Sequence, residues 1–198
     1  MTDEFQELRS HSSYSNVLLD SQQLSSIRAT RINLENCELS NLTFHSCEIS
    51  ESNFSNTHFN QCLFLLSAFR NSRFAFTKFE NVKVKDSDFR DSVFAELSTV
   101  NFSFESTDLK GATFYDCDLR GVVFDQVIGD RVKFIRCQLN EACFKNSKLF
   151  SVEFDDCVLS NANFEGSDLF LAKFKLCRLS EVKVSDKQYE NMLISNCY

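Results

Sequence analysis

The sequence predicts an all-β solenoid whose chain bends at every fifth residue. Three observations predict it. Large apolar residues recur every five positions through most of the 198 residues, a small residue stands two places before nearly every one of them, and turn formers are almost missing, with Gly 4 and Pro 0. Ordinary domains spend Gly and Pro on their loops, so this chain must turn by other means. A helix repeats every ~3.6 residues and a strand every ~2, so neither holds a five-residue pattern on one face.

Residues 1–16 are irregular and read as an N-terminal cap or tail, and residues 17–185 carry the repeat. Stepping by five from Leu34 through Leu39, Phe44, Ile49, Phe54 and onward to Val184 gives 31 units without an insertion, and 17 of the 22 Phe residues fall on this phase. The position two before the centre is Ala, Cys, Ser, Thr or Val in 27 of those units, the exceptions being Ile32, Leu42, Leu97 and Phe102. A large and a small residue at that spacing both point inward, leaving three positions per unit for solvent. Residues 186–198 form a C-terminal helix or tail. There the repeat is lost, Ser185 or Asp186 N-caps a short helix, and Tyr189, Met192 and Leu193 cover the last coil.

This pattern resembles the pentapeptide-repeat family, whose idealised unit is A-[DN]-L-x-x. Cys117-Asp118-Leu119-Arg120-Gly121 and Ser167-Asp168-Leu169-Phe170-Leu171 are clear copies. The resemblance implies a right-handed quadrilateral parallel β-helix, four units per coil, with coils about 4.8 Å apart. Columns read twenty residues apart agree with a square. Phe54, Phe74, Phe94, Phe114, Phe134, Phe154 and Phe174 form one wall, Phe44, Phe64, Phe104, Phe124, Phe144 and Phe164 the opposite one, and Leu119, Leu139, Leu159 and Leu179 a Leu-rich wall between them. Nearly eight coils give a rod about 40 Å long. Two register breaks, at Thr99 and at Gly129, either bulge the wall or repack it.

Composition narrows function. The net charge of −7 argues against direct nucleic-acid binding. No apolar run approaches the ~20 residues that span a bilayer. An odd count of nine Cys, with no signal-peptide pattern in the first residues, points to free thiols in a reducing cytoplasm. Seven of them, Cys37, Cys47, Cys62, Cys117, Cys137, Cys157 and Cys177, occupy the small inward position, where parallel buried thiols do not converge into a tetrahedral metal site. Cys143 points outward and Cys197 lies in the tail; nothing beside either marks it as reactive. His11, His45 and His58 lack partners at inward spacing, and Gly111, Gly121, Gly129 and Gly166 are too scattered for a phosphate loop. No nucleophile, base and orienting group stand together. No cofactor, metal or catalytic residue is expected.

Binding residues are sought on the outer surface. Glu96, Asp116 and Asp156 share one outward column, with Glu153 and Asp155 beside it; Asp88, Asp108 and Asp168 lie along another side, interrupted by the basic column Arg70, Arg90 and Lys110. Such rows are either the charged wall that a soluble rod needs or an imitation of a DNA phosphate backbone. Phe150 and Phe170 stack in an outward column, with Leu171 alongside and Leu176 around the corner; the C-terminal helix or a second subunit would cover them. Within the family, the Phe/Leu centres, the Cys-rich small positions, the acidic rod and the ending Val182-Lys183-Val184-Ser185-Asp186-Lys187-Gln188-Tyr189 resemble the Qnr-type and mycobacterial-type proteins that bind DNA gyrase or topoisomerase IV and protect them from quinolones or toxins. That resemblance implies a DNA-mimicking homodimer joined at its C-terminal ends. The absence of inserted loops favours the loop-free mycobacterial type. The alternative is a generic scaffold for another protein partner.

Overall fold

The structure is a computed structural model and describes residues 8–198; part of the N-terminal cap or tail expected at residues 1–16 therefore lies outside the described residues. The chain forms a right-handed quadrilateral parallel β-helix. Pairing is parallel throughout and links residues twenty apart, as in Leu18↔Glu38, Thr43↔Leu63 and Phe94↔Phe114. Three walls form sheets of five, six and seven strands; the remaining wall has two strands and then isolated parallel bridges such as Ala68↔Asp88 and Lys148↔Asp168. Backbone hydrogen bonds run up and down the stack, with Leu34 N–H to Asn53 O at 2.8 Å and Glu38 N–H to Val17 O at 2.9 Å.

The corners explain the missing Gly and Pro. The fifth residue of each unit takes a left-handed conformation, with φ from +49° to +63° at the non-glycine corners. That region costs an L-residue ~1–2 kcal/mol and is best tolerated by Asn and Asp, which recur here at Asn36, Asn41, Asn56, Asp86, Asp91 and Asn146.

The two Phe walls meet in the centre. Rings stack parallel and offset along each wall, as in Phe94 and Phe114 at 4.6 Å, and edge to face across the core, as in Phe134 and Phe144 at 5.7 Å and 78°. Both arrangements suit the ring quadrupole. The small inward residues do more than leave room. Their hydroxyls and thiols donate to the carbonyl of the centre 23 residues earlier: Ser92 Oγ to Phe69 O at 2.8 Å, Thr77 Oγ1 to Phe54 O at 3.0 Å, Cys117 Sγ to Phe94 O at 3.3 Å. Polar groups inside the rod are thereby satisfied.

Both register breaks repack without a bulge. Thr99 donates to Asp118 O at 3.0 Å, and Phe102, in a small position, swings over Phe79 at 4.8 Å to fill the space that a Phe at 99 would take. Ser98 still pairs with Lys78 below and Asp118 above. At Gly129 a Cβ would lie 2.9 Å from Leu149 Cδ2, so the neighbouring coil's leucine occupies the vacated space.

The ends depart from the sequence reading. Ser13 already bridges to Asn33 and Leu8 is buried, so the stack begins before residue 17. Beyond Val184 one wall is replaced by helix α1 (Asp186–Glu190), capped by Ser185 with a reciprocal Ser185–Gln188 capping box. The chain then re-enters the repeat: strand Leu193–Ser195 pairs with Lys173–Lys175, placing Ile194 on Phe174. Register survives the helix because the Gln188 amide stands in for a missing unit, donating to Phe164 O and Ser167 O, both at 2.7 Å. Met192 is buried, whereas Tyr189 and Leu193 point to solvent and cover nothing.

Candidate functional site

One corner gathers the candidate carboxylates. The left-handed residues Phe76, Glu96, Asp116, Arg136, Asp156 and Leu176 follow one another up the rod at one coil per step. Arg136 sits inside this acidic column. It donates to both Asp116 oxygens, at 2.8 and 3.0 Å, and lies over the Tyr115 ring at 4.1 Å. Glu96 and Asp156 are exposed and make no ion pair among the described residues. On the adjoining wall Asp155 pairs with Lys175 at 3.0 Å and Glu153 with Lys133 at 4.0 Å.

The second acidic row is more heavily compensated. Asp88 accepts from Arg90 at 2.7 Å and from Arg70, and Asp108 lies 3.8 Å from Arg90 while accepting the Lys110 N–H at 3.0 Å. Burial pushes the Asp88 carboxyl up, but the hydrogen bonds from Arg90 and Arg70 outweigh it and hold the group below the ordinary carboxylate value. The hydrogen bond from Arg120 does the same for Asp118. Asp168 remains exposed and accepts the Phe170 N–H at 3.0 Å.

The apolar candidates divide. Phe150 and Phe170 stack at 6.1 Å and stay 41 % and 49 % exposed, so helix α1 does not cover them. Leu171 occupies the adjoining corner, whereas Leu176 stands one corner further on, across the seven-stranded wall at Lys173–Lys175. Sequence reasoning missed Leu66 and Phe76, two large exposed side chains at left-handed corners; reading the corner column as closely as the core columns would have found them.

The thiols lie as the repeat places them. The seven inward cysteines are buried, Cys143 and Cys197 half-buried, and all nine are free. Cys197 is not a stray tail residue: its Sγ donates to Phe174 O at 3.4 Å and accepts the Cys177 N–H at 3.3 Å, continuing the ladder of Cys117, Cys137, Cys157 and Cys177. Burial pushes the Cys62 thiol up to about 11. Among the described residues no three His, Cys, Asp or Glu side chains stand together as metal ligands, and no helix is long and apolar enough to cross a membrane.

Comparison with known proteins identifies the pattern. The family model described as pentapeptide repeats matches in eight copies, over residues 47–91, 87–126 and 147–186. Among solved structures, the chain is similar to HetL, a pentapeptide repeat protein involved in heterocyst differentiation regulation in the cyanobacterium Nostoc sp. strain PCC 7120, with a TM-score of 0.55, 14 % identity, and coverage of 90 % of this chain and 85 % of that one. QnrB1, a plasmid-mediated fluoroquinolone resistance protein, matches with a TM-score of 0.42 and 18 % identity over 90 % of this chain and 96 % of its own. A pentapeptide repeat protein of the Arabidopsis thaliana thylakoid lumen matches with a TM-score of 0.29 and 22 % identity over 59 % and 67 %. No curated protein matches the chain. At these identities the solved structures bear on fold alone.

Proposed function

Because this chain belongs to the pentapeptide-repeat family, we propose that it is a non-catalytic, cytoplasmic binding protein, an acidic rod that occupies the DNA site of DNA gyrase or topoisomerase IV and so modulates quinolone or toxin sensitivity. The observation that carries this reading is the corner of Glu96, Asp116 and Asp156, three carboxylates in one column that only Arg136 interrupts, on a chain whose net charge is −7. A type II topoisomerase meets DNA through a cationic surface, and a row of fixed anions competes for such a surface by the same counterion logic. The exposed apolar end, with Tyr189, Leu193 and Ile194, supports a homodimer joined end to end.

The test is gyrase supercoiling with and without the purified rod. Glu96→Lys with Asp156→Lys reverses exposed charge without breaking an ion pair, whereas changing Asp116 or Asp155 also releases Arg136 or Lys175. The double variant loses the effect on supercoiling if the reading holds; a wild-type rod with no effect on any type II topoisomerase refutes it. Sedimentation decides between dimer and monomer. The second reading, a generic scaffold for another protein partner, is favoured by the pairing of Asp88, Asp116 and Asp155 with basic neighbours, which leaves the walls electrically mixed. Recovery of a different partner with no gyrase subunit in a pulldown supports it.

A further inference from the structure

The exchange of sizes between Thr99 and Phe102 keeps the pairing of Ser98 but opens the rung beside it. From His11 to Asn161 each corner N–H donates to the carbonyl nineteen residues on, as Asn81 does to Val100 O at 2.8 Å and Gly121 to Asn140 O at 2.9 Å. Among the described residues Asn101 alone breaks this rule, and Arg120 O, its expected partner, accepts nothing. On the wall before the corner, Asp118 O takes the Thr99 hydroxyl at 3.0 Å in place of the Thr99 N–H. On the wall after it, the Val123 N–H reaches Phe102 O only at 3.5 Å, against 2.9 Å for Cys143 N–H to Val122 O one coil up.

The side chains that could close this opening are missing or engaged elsewhere. Gly121 has none, and a Cβ there would meet no atom within 4 Å; Asn101 reaches to Asn81 Oδ1 in the coil below at 2.9 Å; Arg120 is held by Asp118 at 2.8 and 2.7 Å. What remains is a notch of about 520 Å³ whose lining includes Thr99, Phe102 and Val122, inward residues that an intact wall would hide. Phe102 is accordingly 5 % exposed where Phe104 and Phe124 are 0 %. Val123 lines the mouth and Val100 precedes Asn101 at the corner, both exposed.

A core ring within reach asks for an apolar ligand, and an N–H and a C=O left apart on one rung ask for an atom that accepts and donates at once. A carboxylate cannot donate to Arg120 O, and an ammonium cannot accept from the Asn101 N–H. A phenol meets both demands, with its ring against Phe102 and its hydroxyl in the rung. The notch opens outward and would leave much of a free small molecule in water, whereas a side chain arriving on a protein surface brings neighbours that cover Val100 and Val123. We propose that this notch binds one tyrosine side chain of a protein partner, its hydroxyl accepting from the Asn101 N–H and donating to Arg120 O. The site stands on its own corner, one wall away from the acidic one and several coils from either end, so an end-to-end dimer leaves it free and it does not rest on binding to a topoisomerase.

Isotope-labelled full-length protein is titrated with N-acetyl-tyrosinamide and, separately, with N-acetyl-phenylalaninamide, and its backbone amide resonances are followed. Those of Thr99, Asn101 and Val123 shift saturably with the tyrosine derivative, and the phenylalanine derivative binds about tenfold or more weakly for want of the two hydrogen bonds. Gly121→Asn, which fills the mouth at a left-handed corner that Asn tolerates, abolishes the shifts. So does Thr99→Phe with Phe102→Ala, which returns the ring to the usual position and lets the Asn101 N–H reach Arg120 O. Glu96→Lys with Asp156→Lys leaves them unchanged. Equal binding of the two derivatives, shifts that survive both notch-closing variants, or no saturable shift at Asn101, in which case water alone bridges the rung, overturns the proposal.

Discussion

The corner at Gly121 isolates the energy that turns this chain. Its φ is +67°, and a Cβ added there meets no atom within 4 Å, so Gly121→Ala changes backbone strain and nothing else. Left-handed backbone costs an L-residue ~1–2 kcal/mol. Alanine recovers part of that, ~0.4–1 kcal/mol, by restricting the unfolded chain. The expected net loss is about 1 kcal/mol, or roughly 2–4 °C in melting temperature for a chain of this size. Gly121→Asn stays close to wild type, because Asn tolerates this region. Gly111→Ala is worse than Gly121→Ala, since its Cβ falls 2.3 Å from Asp91 Oδ1 and the carboxylate must move. Urea unfolding reads all three as shifts in midpoint at constant slope. Gly121→Ala as stable as wild type, or more stable, would refute the account of how a rod so poor in glycine makes its corners.

Three further outcomes follow from neighbouring features. Phe102→Ala costs about 3–5 kcal/mol, and adding Thr99→Phe, which restores the repeat's usual large and small positions, recovers most of it in the same urea assay. Gln188→Ala strips the side-chain donor from Ser167 O and one of two donors from Phe164 O, a cost of about 1–3 kcal/mol. Because stacked repeats feel only their neighbours, hydrogen exchange at residues 193–197 accelerates while the amide of Phe114 is unchanged. Asp88 has a folded pKa below its ordinary 3.8, so its contribution to stability is complete above that value and disappears as the pH falls through the lowered one. Asp88→Asn accordingly flattens the acid limb of the stability profile, read as urea midpoints between about pH 6 and pH 2.

The core was legible because its rule is local and repeated. Each Phe centre with its small partner states which way two side chains point, and twenty-residue columns then assign them to walls. The corners were not legible as left-handed, since Arg31, Leu66, Phe76 and Glu96 share no side-chain chemistry that demands positive φ; the stack imposes it on them. The exchange of roles between Thr99 and Phe102 depends on a ring crossing to Phe79 in the coil below, a contact that no single unit encodes. In the tail, Ile194 and Cys197 keep the twenty-residue spacing to Phe174 and Cys177, but a helix in place of one wall hid it. Acidic columns could be read, whereas their neutralisation could not. Whether Arg136 reaches Asp116 or Arg70 reaches Asp88 is decided by side-chain conformation between coils.

The uninterrupted stacking also sets which changes in length the surface tolerates. Inserting one unit between residues 110 and 150 keeps a large centre and a small partner on every wall, yet it rotates everything downstream by a quarter turn and sets Phe columns over Leu ones. Glu96 and Asp156 would then face different directions, and Phe150 and Phe170 would leave the wall they share with Lys110. Inserting a full coil of four units leaves every column aligned and lengthens the rod by about 4.8 Å. The backbone stack thus tolerates a change of phase that a partner of the outer surface does not, and only whole coils keep both the Phe stacks inside and the columns outside aligned.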